Sequence, residues 1–270
     1  MNVPPVSAPC VPALPREEVP ELEALGVLGF TTTREAGTFG TAGADPVGEV
    51  IGRWEALVGE LRPIANRFAT ASQVHGHRVI THVGGWEGWL RSHGADGHVA
   101  PSGGTALAIT VADCVPVFVA HASGAVALLH SGWRGTAERI TEEGIAALVR
   151  LGFPARELHV HLGPAICGTC YEVSPEVYGR LTGRATAVAA TVDLRSLIAD
   201  QARRAGVEHM SVSPSCTRCH NGRFFSHRAG DAGRQVAVIV RRGSGGRVQE
   251  AGELQRDQEA GIREQELPRG

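Results

Sequence analysis

Residues 106–136 run ALAITVADCVPVFVAHASGAVALLHSGWRGT, three apolar runs parted by two short breaks. Ala106–Val111, Val115–Ala120 and Ala125–His130 are each of strand length and rich in valine, alanine and leucine, so the stretch reads as strands in direct succession. Pro116 predicts a break or an edge in what would otherwise be one long strand, because proline cannot donate to a ladder. It thereby places Asp113-Cys114 at a bend. The third run passes through HSGWRGT, whose two glycines allow a tight turn into a helix start. Strands that follow one another directly, with helices between some of the others, predict an α+β fold with mixed sheets rather than a regular βαβ repeat.

Outward from this stretch, further strands are expected at Val27–Thr33, Phe68–Val74, Arg78–Val83, Leu158–Leu162 and Gln235–Val240. Thr136 is expected to cap a helix whose apolar face carries Ile140, Ile145, Leu148 and Val149. Ser174-Pro175-Glu176 combines a cap, a first-turn proline and a first-turn acid, opening a helix to about Leu181. Asp193 caps a third helix that stops at Gly206. Residues 1–25 are proline-rich with little apolar pattern and are expected to form a flexible arm. Residues 243–270, rich in Gly, Arg, Gln and Glu, are expected to be a disordered tail. Between them, residues 26–242 are expected to form one domain without internal repeats.

The 270 residues carry a formal charge of -2, which argues against nucleic acid or a membrane surface as the main partner. Lysine is absent, which removes Schiff-base chemistry and the Walker-type phosphate loop and leaves anions to arginine forks or backbone N–H groups. Neither a bilayer-spanning apolar stretch nor a secretory leader pattern is present, so a cytoplasmic protein is expected. In a reducing cytoplasm its six cysteines favour metal binding or chemistry over disulfides.

His75, Cys114 and His130 each end or adjoin an apolar run. Two imidazoles and one thiolate are a donor set for zinc or copper, and three ligands leave a coordination position open, as catalytic metals require. Taken singly, Cys114 reads as a buried core thiol and His75 as an ordinary strand-end histidine. Arg134, beside Ser131, Gly132 and Trp133 at a strand-to-helix turn, offers a fork for phosphate or carboxylate. Arg34 and Arg228 each follow a strand or aromatic run and read singly as surface arginines. A competing set is Cys167-x-x-Cys170 with Cys216-x-x-Cys219. Paired knuckles of this kind hold structural zinc or form a disulfide, although 45 intervening residues exceed the usual ribbon spacing.

In order, the chain holds QVHG at 73–76, ADGHV at 95–99, ADCVPV at 112–117, HSGWRG at 130–135, GPAICGTCYEV at 163–173, CTRC at 216–219 and FFSHR at 224–228. The ordered set resembles the laccase-domain family, also called multicopper polyphenol oxidase or peptidoglycan editing factor and regarded as purine nucleoside phosphorylases. The resemblance spans roughly Phe30 to Val240. It implies a single-domain, four-layer α/β/β/α fold with the metal on His75, Cys114 and His130. It implies zinc as cofactor, with copper as the alternative. The implied partners are purine nucleosides and inorganic phosphate, with the protein a monomer or weak homo-oligomer.

The implied activities are phosphorolysis of adenosine, inosine and methylthioadenosine, adenosine deamination, copper-dependent phenol oxidation, and a role in editing peptidoglycan precursors. On that reading Arg34 and Arg134 hold phosphate, Asp113 or Asp96 carries a proton, and Gln73, Asp96, Ser131, Gly132, Trp133 and Arg228 line the substrate site. The chain departs from the family pattern after Arg34, where TTREAGTFGTAGAD lacks the usual asparagine and leucines. His227 stands where tyrosine is usual, and Cys167 where a small residue is usual. A cysteine hydrolase using Cys114 with His130 or His75 as base, and a non-catalytic binding member, are the readings outside this class.

Overall fold

A computed structural model describes residues 13–242. In chain order it contains β1 (Arg16–Glu18), α1 (Pro20–Glu23), β2 (Val27–Thr32), α2 (Val47–Leu61) and β3 (Arg67–Ser72). Next come β4 (Val79–Thr81), β5 (Gly88–His93), β6 (Gly97–Ala100), β7 (Thr105–Val111), β8 (Val115–His121) and β9 (Val126–Ser131). The second half supplies α3 (Trp133–Ala137), α4 (Ile140–Arg150), β10 (Leu158–Leu162), β11 (Glu172–Val173) and α5 (Pro175–Thr182). It ends with β12 (Ala190–Thr191), α6 (Leu194–Arg204), β13 (His209–Val212) and β14 (Gln235–Arg241).

Two six-stranded sheets carry the fold, in the orders β1-β2-β14-β7-β3-β5 and β13-β10-β8-β9-β6-β4. Both are mixed: β3 is parallel to β5 and β7, and β10 is parallel to β13, while β14 and β8 run antiparallel to both their neighbours. The period-2 alternation of strand side chains sorts the core into layers. Leu107, Ile109, Val111, Ala237 and Ile239 from one sheet meet Phe118, Ala120, Val126 and Leu128 from the other. The opposite face of the first sheet packs Ala106, Ala108, Val236 and Val238 against Trp54, Leu57 and Leu61 of α2. The opposite face of the second packs Val115, Val117, Ala127 and Leu129 against Ile145 and Leu148 of α4 and Ile198 of α6. The arrangement is therefore helix, sheet, sheet, helix, which explains why β7, β8, β9 and β14 are apolar on both faces.

Four expectations need correction. Residues 13–25 are not a free arm: β1 pairs with β2 from Arg16↔Thr32 to Glu18↔Phe30, and Val19 and Leu22 are buried; residues 1–12 and the tail 243–270 lie outside the described residues. Helix α2 was not expected, yet Val50, Trp54, Leu57 and Leu61 line its buried face at helical spacing. Thr136 caps nothing. It lies inside α3 with its hydroxyl against Ser131 Oγ at 2.9 Å, and α4 starts instead after Arg139, a left-handed residue at φ 62°. Val149, expected on the buried face of α4, is exposed. The Ser174 and Asp193 caps are present, accepting from Val177 N and from Arg195 N and Ser196 N.

A fifth correction concerns Pro116, which neither breaks a strand nor marks an edge: it is the second residue of β8, paired with His130, and β8 is central, lying between β10 and β9, while the bend falls before it at 112–114. The proline sits at the strand's mouth, where its carbonyl accepts from Gly163 N at 2.9 Å.

Phe118 is fully buried between the sheets. Phe118→Ala is expected to cost about 3–5 kcal/mol of stability, measured by urea unfolding at constant m-value, with the sheet spectrum retained at low denaturant.

Candidate functional site

His75, Cys114 and His130 converge where the chain crosses from one sheet to the other. His75 follows β3 of the first sheet, Cys114 lies in the 112–114 crossover between β7 and β8, and His130 is the penultimate residue of β9. One donor atom from each lies within 4.8 Å of the others. The two imidazole rings are 4.8 Å apart and nearly perpendicular, at 77°. Exposure rises from buried His130 through Cys114 to exposed His75, so a small molecule approaches from the His75 side.

The cluster is held by Asp96, a fully buried carboxylate just before β6. Its Oδ2 accepts the backbone N–H groups of Val74 at 3.1 Å and Gly76 at 2.8 Å, and Oδ1 accepts that of His75 at 2.9 Å. Three successive N–H groups around one anion require a left-handed residue in the middle, and His75 has φ 63°. Oδ1 also meets His130 Nδ1 at 2.9 Å, which leaves Nε2 as the ring nitrogen available to a ligand. Burial raises the Asp96 pKa, but the His130 and backbone hydrogen bonds outweigh it and bring it below the usual carboxylate range.

Burial likewise pushes the Cys114 thiol up, yet the facing His130 charge and hydrogen bonds from both imidazoles bring it down to about 6. Burial lowers His130, and the Cys114 and Asp96 charges together raise it to about 9. The pair thus favours a Cys114 thiolate facing a protonated His130, and metal binding at His130 Nε2 would release that ring's proton. Gly132 permits the close approach: a Cβ there would lie 2.8 Å from Cys114 Sγ and 3.6 Å from His75 Cδ2.

Asp113 does not have the free carboxylate expected of a proton carrier. Its Oδ1 accepts Thr217 Oγ1–H and its Oδ2 accepts Arg228 N–H, both at 2.6 Å, and the residue sits at φ 81°. Asp96, saturated by four donors, is no proton carrier either. Gln73 pairs with the backbone of Thr110, accepting its N–H at 2.8 Å and donating to its carbonyl at 2.9 Å, so the side chain extends the β3–β7 ladder. Ser131 is fully buried against Thr136.

Arg34, expected to hold phosphate, is instead tied into the 221–231 loop. It donates to Asn221 O at 2.9 Å, Phe224 O at 3.1 Å and Asp231 Oδ2 at 2.6 Å, and its guanidinium lies 4.4 Å from the Phe225 ring centre. Burial raises the Asp231 pKa, but the Ser226 N–H and the Arg34 and Asn221 side chains together outweigh it and hold the carboxylate below its usual range. Arg134 is exposed and lies over Trp133 at 4.6 Å. The short α3 helix gives it no extended N-terminus to share. Arg228 donates to Glu172 O at 2.8 Å and lies 5.0 Å over Tyr171, a residue the sequence reading did not single out. Burial first, then the Cys114 and Asp113 charges, push the Tyr171 hydroxyl up to about 12, so it stays protonated at neutral pH. Thr217, which anchors Asp113, was also missed, because nothing local marks a threonine inside a cysteine knuckle.

Residues 34–242 match the family described as multi-copper polyphenol oxidoreductase laccase. The chain belongs to that family. Among relatives of this laccase-like chain, a protein named purine nucleoside phosphorylase from Mycobacterium tuberculosis (strain ATCC 25618 / H37Rv) is 36% identical over 182 residues, covering 64% of this chain and 72% of that protein. One of the same name from Deinococcus radiodurans is 34% identical over 209 residues, covering 72% and 77%. The crystal structure of YlmD from Geobacillus stearothermophilus superposes with a TM-score of 0.73 at 28% identity, covering 80% of this chain and 92% of that one. YfiH of Bacillus licheniformis shares the fold at a TM-score of 0.74 and 23% identity, covering 84% and 97%.

A cavity of about 650 Å³ lies elsewhere on the laccase-like fold, between α2 and β5, with Arg62, Phe68 and Trp89 in its wall. It holds neither of the two donor clusters found among the described residues, so the triad and not the cavity defines the candidate site.

Asp96→Asn removes the charge that orients His75 and His130 while keeping the side chain's shape. Metal affinity, read by competition with a chromogenic chelator, is expected to fall by about 10–100-fold. Gly132→Ala is expected to weaken metal binding likewise, by pushing Cys114 Sγ out of the triad, and unchanged affinity in both variants would refute this geometry.

Proposed function

We propose that this chain is a metal-dependent enzyme acting on purine nucleosides, with His75, Cys114 and His130 as ligands of one zinc-class ion. The carrying observation is the triad itself: three donors of the right chemistry converge on an exposed side, with arginines at or near the opening. The names of the relatives supply the substrate class. Zinc is favoured over a multicopper centre because the described residues place two imidazoles at a single cluster, and the other cluster is all thiol. A bound ion would supply Lewis acidity at the open side.

For phosphorolysis, a phosphate oxygen forms a bond to the ribose C1′ while the bond from C1′ to the purine nitrogen breaks, and the departing base takes a proton. Arg134 is the phosphate fork, because its guanidinium lies over the Trp133 ring and is in no hydrogen bond or ion pair among the described residues, whereas Arg34 is engaged on several sides. Tyr171 is the O–H group available to the leaving base, since both nearby carboxylates are fully engaged. Adenosine, inosine and methylthioadenosine are the proposed substrates. Adenosine deamination at the same site and a role in peptidoglycan precursor editing follow the same reading.

The test follows adenosine by chromatography with and without phosphate. Adenine and ribose 1-phosphate are expected only with phosphate, and inosine marks deamination. Metal-loaded protein that yields neither overturns the reading, and a metal-free active protein inactivated by iodoacetamide identifies a cysteine hydrolase instead.

Cys114→Ala is expected to lower turnover by at least about 10²–10³-fold, the scale of losing one electrostatic contributor at a reaction centre. Arg134→Ala is expected to raise the KM for phosphate about tenfold, some 1.4 kcal/mol, with a smaller effect on kcat. Arg34→Ala should instead lower the thermal midpoint and leave the phosphate KM nearly unchanged.

A further inference from the structure

We propose that Cys167, Cys170, Cys216 and Cys219 form a second, closed tetrathiolate site for a structural zinc ion. It is separate from the nucleoside site and does not depend on that reading. The four Sγ atoms lie within 4.8 Å of one another, and Cys170 and Cys219 are 3.5 Å apart. Four sulfurs about 2.3 Å from one zinc stand roughly 3.8 Å from each other, so the cluster has the size of that tetrahedron. All four are free thiols.

The backbone is shaped for the same purpose. In the first knuckle the N–H groups of Cys170 and Tyr171 return to Cys167 O, at 3.0 and 3.1 Å. In the second, His220 N–H returns to Cys216 O at 2.9 Å. Each Cys-x-x-Cys is thus a closed turn that aims both sulfurs to one side. Cys216 Sγ accepts N–H bonds from Cys167 at 3.3 Å and Cys219 at 3.4 Å, the stabilisation a coordinated thiolate needs. An isolated bridge, Ala165↔Cys216, sets the two turns side by side.

Cys219 is exposed, which gives a metal a way in, and Cys216 is buried at the inner side of the cluster. Four thiolates leave no open position, so the ion is structural rather than catalytic. It would clamp the segment that begins at Cys216 to the turn that ends at Tyr171. Thr217, which holds Asp113, and Tyr171, which lies under Arg228, are each the immediate neighbour of a proposed ligand.

The experiment uses the full-length chain with Cys114→Ala, which removes the triad, purified under reducing conditions. Elemental analysis is expected to give about one zinc per chain, and cobalt replacement the intense visible absorption of a tetrahedral thiolate site. Adding Cys170→Ser and Cys219→Ser should remove both signals. Where that variant fails to fold, the Cys114→Ala protein is labelled with a maleimide: four thiols should be protected until a mercurial releases the zinc. Folded Cys114→Ala protein without metal, or a disulfide found by mass spectrometry of the non-reduced wild-type chain, overturns the proposal.

Discussion

The site depends on one buried charge. Asp96 carries no exposed surface, and leaving a carboxylate in such a position without partners would cost several kcal/mol. Its four hydrogen bonds, each worth about 1.5–3 kcal/mol when one partner is charged, offset that cost only if the 74–76 turn and His130 stay where they are. The same bonds that stabilise the anion therefore fix the left-handed conformation of His75 and the ring orientation of His130. Two of the three candidate ligands are placed by a residue that ligates nothing.

The third is placed by topology. Crossing from β7 in one sheet to β8 in the other takes three residues, 112–114, and a chain reversing layers so quickly must use unusual backbone. Asp113 takes it, at φ 81°, and is held there by Thr217 and Arg228. Gly132 leaves room for the Cys114 sulfur. Conformations of this kind cost about 1–3 kcal/mol each and persist where surrounding bonds over-determine them. Here the determining bonds come from segments more than a hundred residues away, so the strained geometry is a property of the whole sandwich end and not of the local loop.

That distinction explains what could be read from the sequence. The triad was legible because His and Cys in metal-donor roles are few, and each ended a recognisable run. The strands were legible because residues 106–111, 115–120, 125–130 and 235–240 are continuous apolar runs, whereas their sorting into two packed sheets was implied only by the family resemblance. Helix α2 was hidden by Gly48, Gly52 and Gly59, which weaken a helical pattern even though Val50, Trp54, Leu57 and Leu61 keep its spacing. Arg34, Gln73, Asp96 and Asp113 were recognisable as polar residues in the right motifs, but their roles were not. A side chain's charge is local, whereas its partner is tertiary, and Gln73 finds Thr110, and Arg34 finds Asp231, only in the folded chain.

Those partners also connect the parts of the site. The 216–231 segment starts at a cysteine knuckle, supplies Thr217 and Arg228 to Asp113, and is gripped by Arg34 at Asn221, Phe224 and Asp231. Asp113 is adjacent in the chain to Cys114, so a shift of this segment must either break two 2.6 Å hydrogen bonds or move the backbone that carries the thiolate. Arg34 is therefore better understood as a brace than as a phosphate ligand. Its position at the end of β2 lets the first sheet steady a segment whose contacts lie with a cysteine placed at the start of the second. The motif arginine expected to touch substrate acts at one remove, through the loop that holds Asp113. The exposed Arg134 is the arginine proposed above for the anion.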